Sequence, residues 1–500
     1  MIPIRLPKDK WLILVIAGIL IYTAVFTYLS ILRYDSFFSY EWEDQATQHQ
    51  LVWNTAHGRW FYNSIGVSGN FFSYHFQPFI LLQALLYRIW PHIYTYFFLI
   101  SFGLASGALP LYLFARKVFA SSVPAALIAL SYLFYAPLFN LNFCDGDQVI
   151  FTVPLFFTAL YILEKNLFCF RRRSFLSFLC VITLALSCKE HIAFTVLLLG
   201  AYLLLQKKYK WGATCIISSV AWLIISMPVT LWLNHGQSLA RCINYDSFKE
   251  LTLLPFTKPH EFIRTFFSAS HLEYFFKLSF PLAFLPFVSA VTFVSGADIL
   301  LLLSGRGNIE YYQAYYIAPL IPFFFAGLVY SVKKISNHVS GKAVKIILVS
   351  ILFLNILNLF GDNILGGIGQ KKVIYDNRFI HARNIFDPVF YTMDEEDKLA
   401  WSFVAMIPDN ASVSASGDLL VALSSREKLL ELFNDDCDYL DSEYVLIHTR
   451  YMGFGGGNYC HKEEKAVFGL IEKMQSDPSW LKLREEGNFI LFKRRFGEKK

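Results

Sequence analysis

The chain has 500 residues, of which 55% are hydrophobic and only 16% are charged, and its net charge is +6. Soluble chains usually carry about a quarter of their residues as charged side chains. The composition therefore excludes an ordinary soluble protein and indicates that lipid is the main solvent of the first 360 residues. No basic block with interleaved aromatic residues occurs, which excludes a nucleic-acid-binding chain.

The first apolar run covers residues 11–32 and is long enough to cross about 30 Å of hydrocarbon. A cleaved signal peptide would have a shorter apolar core and a small-residue cleavage site. We therefore interpret this run as a retained membrane span. Arg5, Lys8 and Lys10 precede it, so the positive-inside rule predicts a cytoplasmic N-terminus.

The later apolar runs predict further crossings, about eleven in total when one short run between two glycines is counted. They are residues 93–114, 121–140, 149–163, 174–187, 192–205, 212–233, 275–294, 296–304, 314–332 and 343–360. The predicted external loops are residues 33–92 and 234–274. The first of them contains a helix at 43–57 and an interfacial helix at 77–91. This assignment places the basic clusters at 116–117, 171–173 and 207–210 on the cytoplasmic side, as the positive-inside rule requires.

The composition changes after residue 360. Residues 361–394 are predicted to be a linker, and residues 395–500 a small α/β domain outside the cytoplasm. The predicted strands are 413–416, 444–447 and 488–492, and the predicted helices are 397–406, 425–433 and 463–475. The sequence thus predicts a mainly α-helical polytopic membrane protein with a small C-terminal α/β extracytoplasmic domain, anchored in the inner membrane.

The cysteines do not occur in close CxxC pairs or in Cys/His clusters with the spacing of a zinc site. Cys437 and Cys460 lie in the predicted C-terminal domain, residues 395–500, which we call the tail. They are candidates for a disulfide if the tail is external and their Cα atoms lie within about 7 Å of each other.

Three carboxylates, Glu41, Glu43 and Asp44, stand shortly after the first span. Carboxylates that share a low-dielectric site repel each other, which raises the pKa of one of them and suits it to accept a proton near neutral pH. The alternative is a hydrated loop without chemistry, whose acidic residues only reflect the difference in charge between the loops on the two sides of a membrane.

A second acidic turn, Asp145-Gly146-Asp147, falls between two predicted spans on the same outer face. Its carboxylate oxygens could bind a divalent cation, the one cofactor that the sequence suggests, or the residues could form only a turn. Two acidic clusters on one membrane face, from distant parts of the chain, favour a shared site.

Basic and aromatic residues on that face are candidates for binding a substrate. Lys189 could hold a phosphate, and Glu190 could pair with Lys189 or with Arg306, or all three could be purely structural. Arg306 matches phosphate geometry well. Tyr316 and its neighbouring tyrosines could instead form an interfacial belt, and His75 could contact a leaving group or cap the interfacial helix.

Several motifs resemble those of an uncharacterised polytopic membrane protein family of bacteria and archaea. They are Glu43-Asp44, Trp53-Asn54-Thr55-Ala56-His57-Gly58-Arg59, His75-Phe76-Gln77-Pro78, Lys189-Glu190 and Tyr315-Tyr316-Ile317-Ala318-Pro319-Leu320-Ile321-Pro322. The resemblance covers about residues 30–335 and returns weakly at Val413-Ser414-Ala415-Ser416. That family is in turn similar to the GT-C superfamily of membrane glycosyltransferases.

The resemblance implies a GT-C-like architecture and a sugar donor carried on a polyprenyl phosphate. By position, Asp44 matches the catalytic base in the first external loop, with Glu43 as its substitute, and Asp147 matches the Asp of the second loop. We expect Asp44 and Asp147 to approach one cavity with Lys189 and Arg306 on its wall.

The partners expected are therefore the membrane and a polyprenyl-phosphate sugar or another lipid, without nucleic acid. The runner-up hypothesis is a transporter or lipid-binding membrane protein without catalytic activity, whose broken span at 296–304 lines a pathway. A structural anchor for the tail domain is a third hypothesis, but it leaves the acidic loops unexplained.

Overall fold

A computed structural model describes most of the chain. The described ranges are 9–37, 42–65, 69–143, 146–166, 171–235, 248–304, 315–360, 373–375, 378–380, 386–432, 441–449 and 460–495. Glu41, Asp145, Arg306 and Cys437 fall outside these ranges, and the side chains of Glu43 and Cys460 are not described. Their predicted roles, including the Cys437–Cys460 disulfide, stay predictions.

The described chain is mostly helical. Its helices are α1 (Lys10–Asp35), α2 (Trp42–Ala56), α3 (Ile80–Tyr87), α4 (Ile93–Ser106), α5 (Ala108–Phe119), α6 (Ser122–Leu133), α7 (Ala136–Phe143), α8 (Thr152–Lys165), α9 (Arg172–Leu186), α10 (Ile192–Leu205), α11 (Tyr209–Leu233), α12 (Phe248–Thr257), α13 (Pro259–Phe266), α14 (Ala269–Ser279), α15 (Gly296–Ser304), α16 (Leu320–Ile335), α17 (Gly341–Phe360), α18 (Glu395–Val404), α19 (Leu420–Leu423) and α20 (Cys460–Ser476).

Five helical segments among the described residues are long and apolar enough to cross a membrane, or six if the pair α6–α7, bent by 44°, is one broken span. The five are Lys10–Asp35, Ile93–Phe119, Gln148–Lys165, Tyr209–Leu233 and Gly341–Leu359. Several other predicted spans are helical but too short to cross a bilayer unaided, such as α10 with 14 residues. The membrane architecture is confirmed, whereas the count of eleven crossings is not.

The predicted span at 275–294 is wrong. Helix α14 ends at Ser279, and the chain continues as short 3-10 turns up to Ser295. Pro281 and Pro286 supply no backbone N–H to continue a helix, and Ala283 has a left-handed φ of 52°. An irregular backbone of this kind persists at membrane depth only where protein or water surrounds it.

The C-terminal region forms a five-stranded mixed sheet, and two small hairpins lie elsewhere. The strands are β1 (Tyr62–Asn63), β2 (Gly69–Asn70), β3 (Val373–Tyr375), β4 (Arg378–Ile380), β5 (Val413–Ala415), β6 (Leu429–Glu431), β7 (Tyr444–His448), β8 (Trp480–Glu486) and β9 (Phe489–Arg494). The strand order of the sheet is β6-β5-β7-β9-β8. Strand β5 pairs in parallel with β6 and β7, whereas β9 pairs antiparallel with β7 and β8.

One prediction for this region failed, and one strand was missed. Residues 425–433 were expected to be a helix but contain β6, and β8 was not expected at all. The short segment Leu429–Glu431 gains backbone hydrogen bonds by pairing with β5, and this tertiary contact overrides its local helical preference.

The two faces of the sheet belong to different hydrophobic cores. Val445 and Ile447 point to the face that packs against α20, through Val467 and Met474. Leu446, on the opposite face, joins the continuous core that also contains the membrane helices. Alternation along a strand explains this division. The sheet is therefore packed on the membrane part of the chain and does not hang from it by a linker alone.

Helix α2, which lies between α1 and α3 in the chain, provides much of that packing. His49 contacts Ser424 through Nδ1 at 2.7 Å, and Gln50 Nε2 donates to the carbonyl of Arg426 at 3.1 Å. The helix was predicted at 43–57, and Gly58, with φ of 87°, follows it as the expected left-handed residue.

Candidate functional site

Asp147 is the centre of a buried polar cluster in the turn after α7. Its Oδ1 accepts a hydrogen bond from the backbone N–H of Val149 at 2.9 Å and so caps the 3-10 helix Gln148–Phe151. Lys189 Nζ donates to its Oδ2 at 2.7 Å, and Gln77 Nε2 lies 3.1 Å from both carboxylate oxygens. Only 1% of Asp147 and 1% of Lys189 are exposed, so this ion pair is held in a low-dielectric environment.

Three turns meet at this cluster. Lys189 lies in the short turn between α9 and α10, and Gln77 lies just before α3. The backbone N–H of Phe79 donates to the carbonyl of Ser187 at 3.0 Å, which fixes the segment between α2 and α3 against the α9–α10 turn. Residues far apart in the sequence are thus brought to one end of the helices.

Glu190 pairs with the segment between α2 and α3. Its Oε1 lies 2.8 Å from His75 Nδ1, and its Oε2 accepts from the backbone N–H of Phe76 at 3.0 Å. Of the two partners suggested for Glu190 from the sequence, Lys189 is hydrogen-bonded to Asp147. The alternative partner, Arg306, is outside the described residues.

The protonation states in this loop follow from burial and neighbouring charge. Burial alone would raise the pKa of Glu190, but His75 and Lys189 lower it to about 2. Burial and the Lys189 charge lower the pKa of His75. At neutral pH a neutral His75 therefore donates its Nδ1–H to an ionised Glu190.

Tyr316 lies beside the ion pair. Lys189 Nζ is 5.2 Å from the centroid of the Tyr316 ring, within the range of a cation–π contact. The ring of His191 is 6.1 Å from the same ring. Tyr316, Lys189 and Asp147 thus form one contiguous cluster of polar and aromatic side chains.

Sequence reasoning missed Gln77 and Asp298. Asp298 is 2% exposed in the short helix α15, and its Oδ2 accepts from Thr195 Oγ1 at 2.5 Å. His191 Nε2 lies 4.0 Å from its Oδ1. The sequence signal for Asp298 is a single carboxylate inside an apolar run. Such a charge is costly in a membrane protein unless it has partners.

Asp44 occupies the first turn of α2 and is exposed. Five residues later, the His49 ring packs on Tyr96 at 5.2 Å, and the Tyr96 hydroxyl donates to the Gly146 carbonyl at 3.4 Å. Helix α2 is therefore joined through two side chains to the residue that precedes Asp147. A cavity shared by Asp44 and Asp147 stays a prediction.

Among the described residues, no group of three His, Cys, Asp or Glu side chains could hold a metal ion. Asp147 is bound by the Lys189 ammonium, a cation in the position where a divalent ion was suggested. Asp145 is not described, so the cation hypothesis stays a prediction.

The sequence of the chain was compared with protein families and curated proteins, and its fold with solved structures. A family described as "Predicted membrane protein (DUF2079)" matches residues 33–480. No curated protein sequence matches the chain. The fold is similar to that of ArnT from Cupriavidus metallidurans, a GT-C glycosyltransferase, solved bound to undecaprenyl phosphate. The TM-score is 0.53 at 10% sequence identity, over 97% of this chain and 98% of that chain. The expected resemblance to a family of polytopic membrane proteins is confirmed, and the fold is similar to that of ArnT.

Proposed function

This chain belongs to the DUF2079 family of predicted membrane proteins, and we propose that it is a membrane glycosyltransferase. It transfers a sugar from a polyprenyl-phosphate donor at the outer face of the inner membrane. The observation that carries this proposal is the buried Lys189 ammonium, held against Asp147 where three turns meet. The ArnT structure contains a polyprenyl phosphate, which supports a ligand of that class for a chain with a similar fold.

Lys189 supplies the charge that a lipid phosphate requires. Its ammonium carries a full positive charge close to Asp147, and a phosphate oxygen can accept a hydrogen bond from an ammonium group. Arg306 is the second cation proposed for the phosphate. When the donor breaks, the phosphate gains negative charge, and a fixed cation in a low-dielectric site stabilises that charge strongly.

Asp44 is proposed as the general base, with Glu43 as its substitute. The acceptor hydroxyl oxygen attacks the anomeric carbon of the sugar while the bond from that carbon to the phosphate oxygen breaks. The carboxylate takes the hydroxyl proton, and the polyprenyl phosphate leaves with the bonding electron pair. The exposure of Asp44 is compatible with an acceptor that arrives from the aqueous side.

His75 and Glu190 are proposed to position the donor-binding wall and do not act on the reacting atoms. Their hydrogen bond ties the first external loop to the turn that carries Lys189. Tyr316 shapes the same wall through its contact with Lys189.

A transfer assay on the full chain in lipid nanodiscs tests this function. The substrates are polyprenyl-phosphate-linked sugars and a set of lipid and glycan acceptors. Asp44→Asn should lower transfer by about 10²–10⁴-fold. Asp409→Asn, an exposed carboxylate of the tail, is the matched control and should transfer normally.

Unchanged transfer in Asp44→Asn would leave Glu43 as the remaining candidate base. A wild-type protein that binds the lipid donor but transfers nothing would favour the lipid-binding or transport hypothesis.

A further inference from the structure

Two short helices follow the membrane helix α11, within residues 234–274 that the sequence predicts to be an external loop. They are α12 (Phe248–Thr257) and α13 (Pro259–Phe266), and Lys258 alone separates them. With 10 and 8 residues, the helices are about 15 and 12 Å long, since each residue adds about 1.5 Å. Neither can cross the hydrocarbon core of a membrane, which is about 30 Å thick.

One row of apolar side chains on α13 is covered by the protein. Phe262 and Phe266 lie one turn apart, and their ring centroids are separated by 4.6 Å. Phe266 belongs to a small hydrophobic core with Leu254 of α12 and Leu303 of α15, and Phe262 packs against this core. The two helices are therefore seated on α15, the helix that also carries Asp298 of the candidate site.

A second group of apolar side chains on these helices is left largely uncovered by the described part of the chain. Ile263 and Phe267, again one turn apart, are 59% and 60% exposed. Phe256 of α12 is 82% exposed, and Leu253, one turn before it, is exposed as well. We call these four side chains the uncovered group. A helix between protein and water normally carries polar residues at such positions.

The polar side chains of α13 occupy a different sector of the helix. His260, Glu261 and Arg264 are exposed, and at 3.6 residues per turn they lie opposite Phe262 and Phe266. Ile263 and Phe267 lie between these two sectors. The helix thus has one sector for the protein, one for water and a third, apolar sector for another apolar environment.

Lys258 joins the polar sides of the two helices. Its Nζ lies 3.6 Å from Glu250 Oε1 and 3.5 Å from Glu261 Oε2. Residues 248–267 contain three basic and two acidic residues, so their charges nearly balance. Attraction to an anionic partner is therefore small, and contact with the uncovered group has to come from the hydrophobic effect.

The neighbouring parts of the chain identify the apolar environment as lipid. The preceding helix, Tyr209–Leu233, is long and apolar enough to cross a membrane, and Trp232 near its end is exposed. Exposed apolar side chains continue after α13 at Leu272 and Phe276 of α14. A second copy of the chain fits less well, because a standard protein interface buries roughly 800 Å² per partner and four side chains offer much less.

We propose that α12 and α13 lie in the membrane–water interface, with the uncovered group inserted among the phospholipids and Glu261 and Arg264 in water. Interfacial amphipathic helices bury their apolar side about 5–10 Å into the boundary between headgroups and acyl chains. The bilayer then holds α13 and, through Leu303, the helix that carries Asp298. This inference does not depend on the proposed transfer reaction.

Photocrosslinking on the full chain tests this placement. Ile263→p-benzoylphenylalanine and Phe267→p-benzoylphenylalanine are prepared separately, placed in nanodiscs of palmitoyl-oleoyl-phosphatidylcholine and irradiated. Intact-mass spectrometry should show a shift equal to the mass of one phospholipid. Both positions are exposed, so the larger side chain displaces no packed neighbour. If neither variant folds, the same replacement at Phe256, the most exposed position of the group, gives the test.

Two further positions provide the controls. Ile224→p-benzoylphenylalanine, at an exposed position of the membrane helix α11, should form the lipid adduct and shows that the probe works. Glu261→p-benzoylphenylalanine, on the polar side of α13, should form none. Absence of a lipid adduct at both 263 and 267, while 224 forms one, would overturn the proposal. Crosslinks from 263 and 267 to a second copy or to another part of the chain, in place of lipid, would overturn it as well.

Discussion

The ammonium of Lys189 lies 2.7 Å from Oδ2 of Asp147, and these side chains expose only 1% and 2% of their surfaces. Burial alone would lower the pKa of Lys189, but the Asp147 carboxylate outweighs it and the pKa is raised. The lysine is therefore charged in the folded protein. This pair joins the turn after α7 to the turn before α10, and it is both a structural link and the proposed phosphate site.

The stability of this link can be separated from its proposed chemistry. Lys189→Met leaves the Asp147 carboxylate buried without its cation, so we expect the free energy of unfolding to fall by about 3–5 kcal/mol. The double variant Lys189→Met with Asp147→Leu removes both charges and should recover much of that loss. Thermal unfolding of the purified protein measures both effects. A double variant less stable than Lys189→Met would contradict the interpretation.

His49 should make the packing of α2 on the tail sensitive to acid. Its Nε2 lies 3.1 Å from the Tyr87 hydroxyl, and complete burial lowers its pKa from 6.5 to about 3. The unfolded chain therefore binds the proton first. The stabilisation is fully present above pH 6.5 and is lost as the pH falls towards 3, by up to about 1.4 kcal/mol per pH unit.

Unfolding of His49→Gln measured against pH should lack this component, so its curve should diverge from that of the wild type below pH 6.5. Parallel curves would show that His49 does not titrate as described.

Ser64, which lies between α2 and α3 in the chain, holds the edge strand β6 of the five-stranded sheet. Its hydroxyl donates to the Leu429 carbonyl at 2.8 Å and accepts from the Leu429 N–H at 2.9 Å. Ser64→Ala leaves two buried backbone groups of β6 unpaired, which should cost about 1–3 kcal/mol. Limited proteolysis of the tail and thermal unfolding should both report the change. The exposed Ser177→Ala is the control, and a Ser64→Ala protein as resistant as this control would contradict the prediction.

The predicted orientation can be tested by labelling single cysteines introduced into the loops. Residues 116, 172 and 208 should be accessible from the cytoplasm, whereas residue 441 in the tail should be labelled from outside. We expect this result because the predicted topology places the basic clusters at 116–117, 171–173 and 207–210 on one side of the membrane, and basic loops are usually cytoplasmic. A tail that is labelled only from the cytoplasm would invert the assignment and remove the outer-face site.

The sequence predicted those elements that depend on a pattern within the element itself, such as a continuous apolar run. The apolar runs gave α1, α11 and α17 nearly to their ends, because membrane helices satisfy their own backbone hydrogen bonds. The segment 275–294 failed because its composition is apolar while its prolines prevent a helix. Apolar composition alone does not distinguish a crossing from a buried irregular segment.

The candidate site was predictable as a set of residues but not as a set of contacts. Asp147 and Lys189 were both expected on the outer face, yet their pairing depends on the meeting of turns 42 residues apart. Neither Gln77 nor Asp298 lies in a cluster of charged residues, which is the pattern that identified the other site residues in the sequence. Their importance follows only from the partners that the fold gives them.

Identification of the lipid that co-purifies with the protein tests the central claim most directly. Native mass spectrometry of the wild-type protein, extracted from its own membrane in mild detergent, should detect a bound polyprenyl phosphate, free or linked to a sugar. The double variant Lys189→Met with Asp147→Leu should lose it and keep its bulk phospholipids. A wild-type protein that carries only bulk phospholipids, or a double variant that retains the same polyprenyl phosphate, would contradict the assignment of Lys189 as the donor phosphate site.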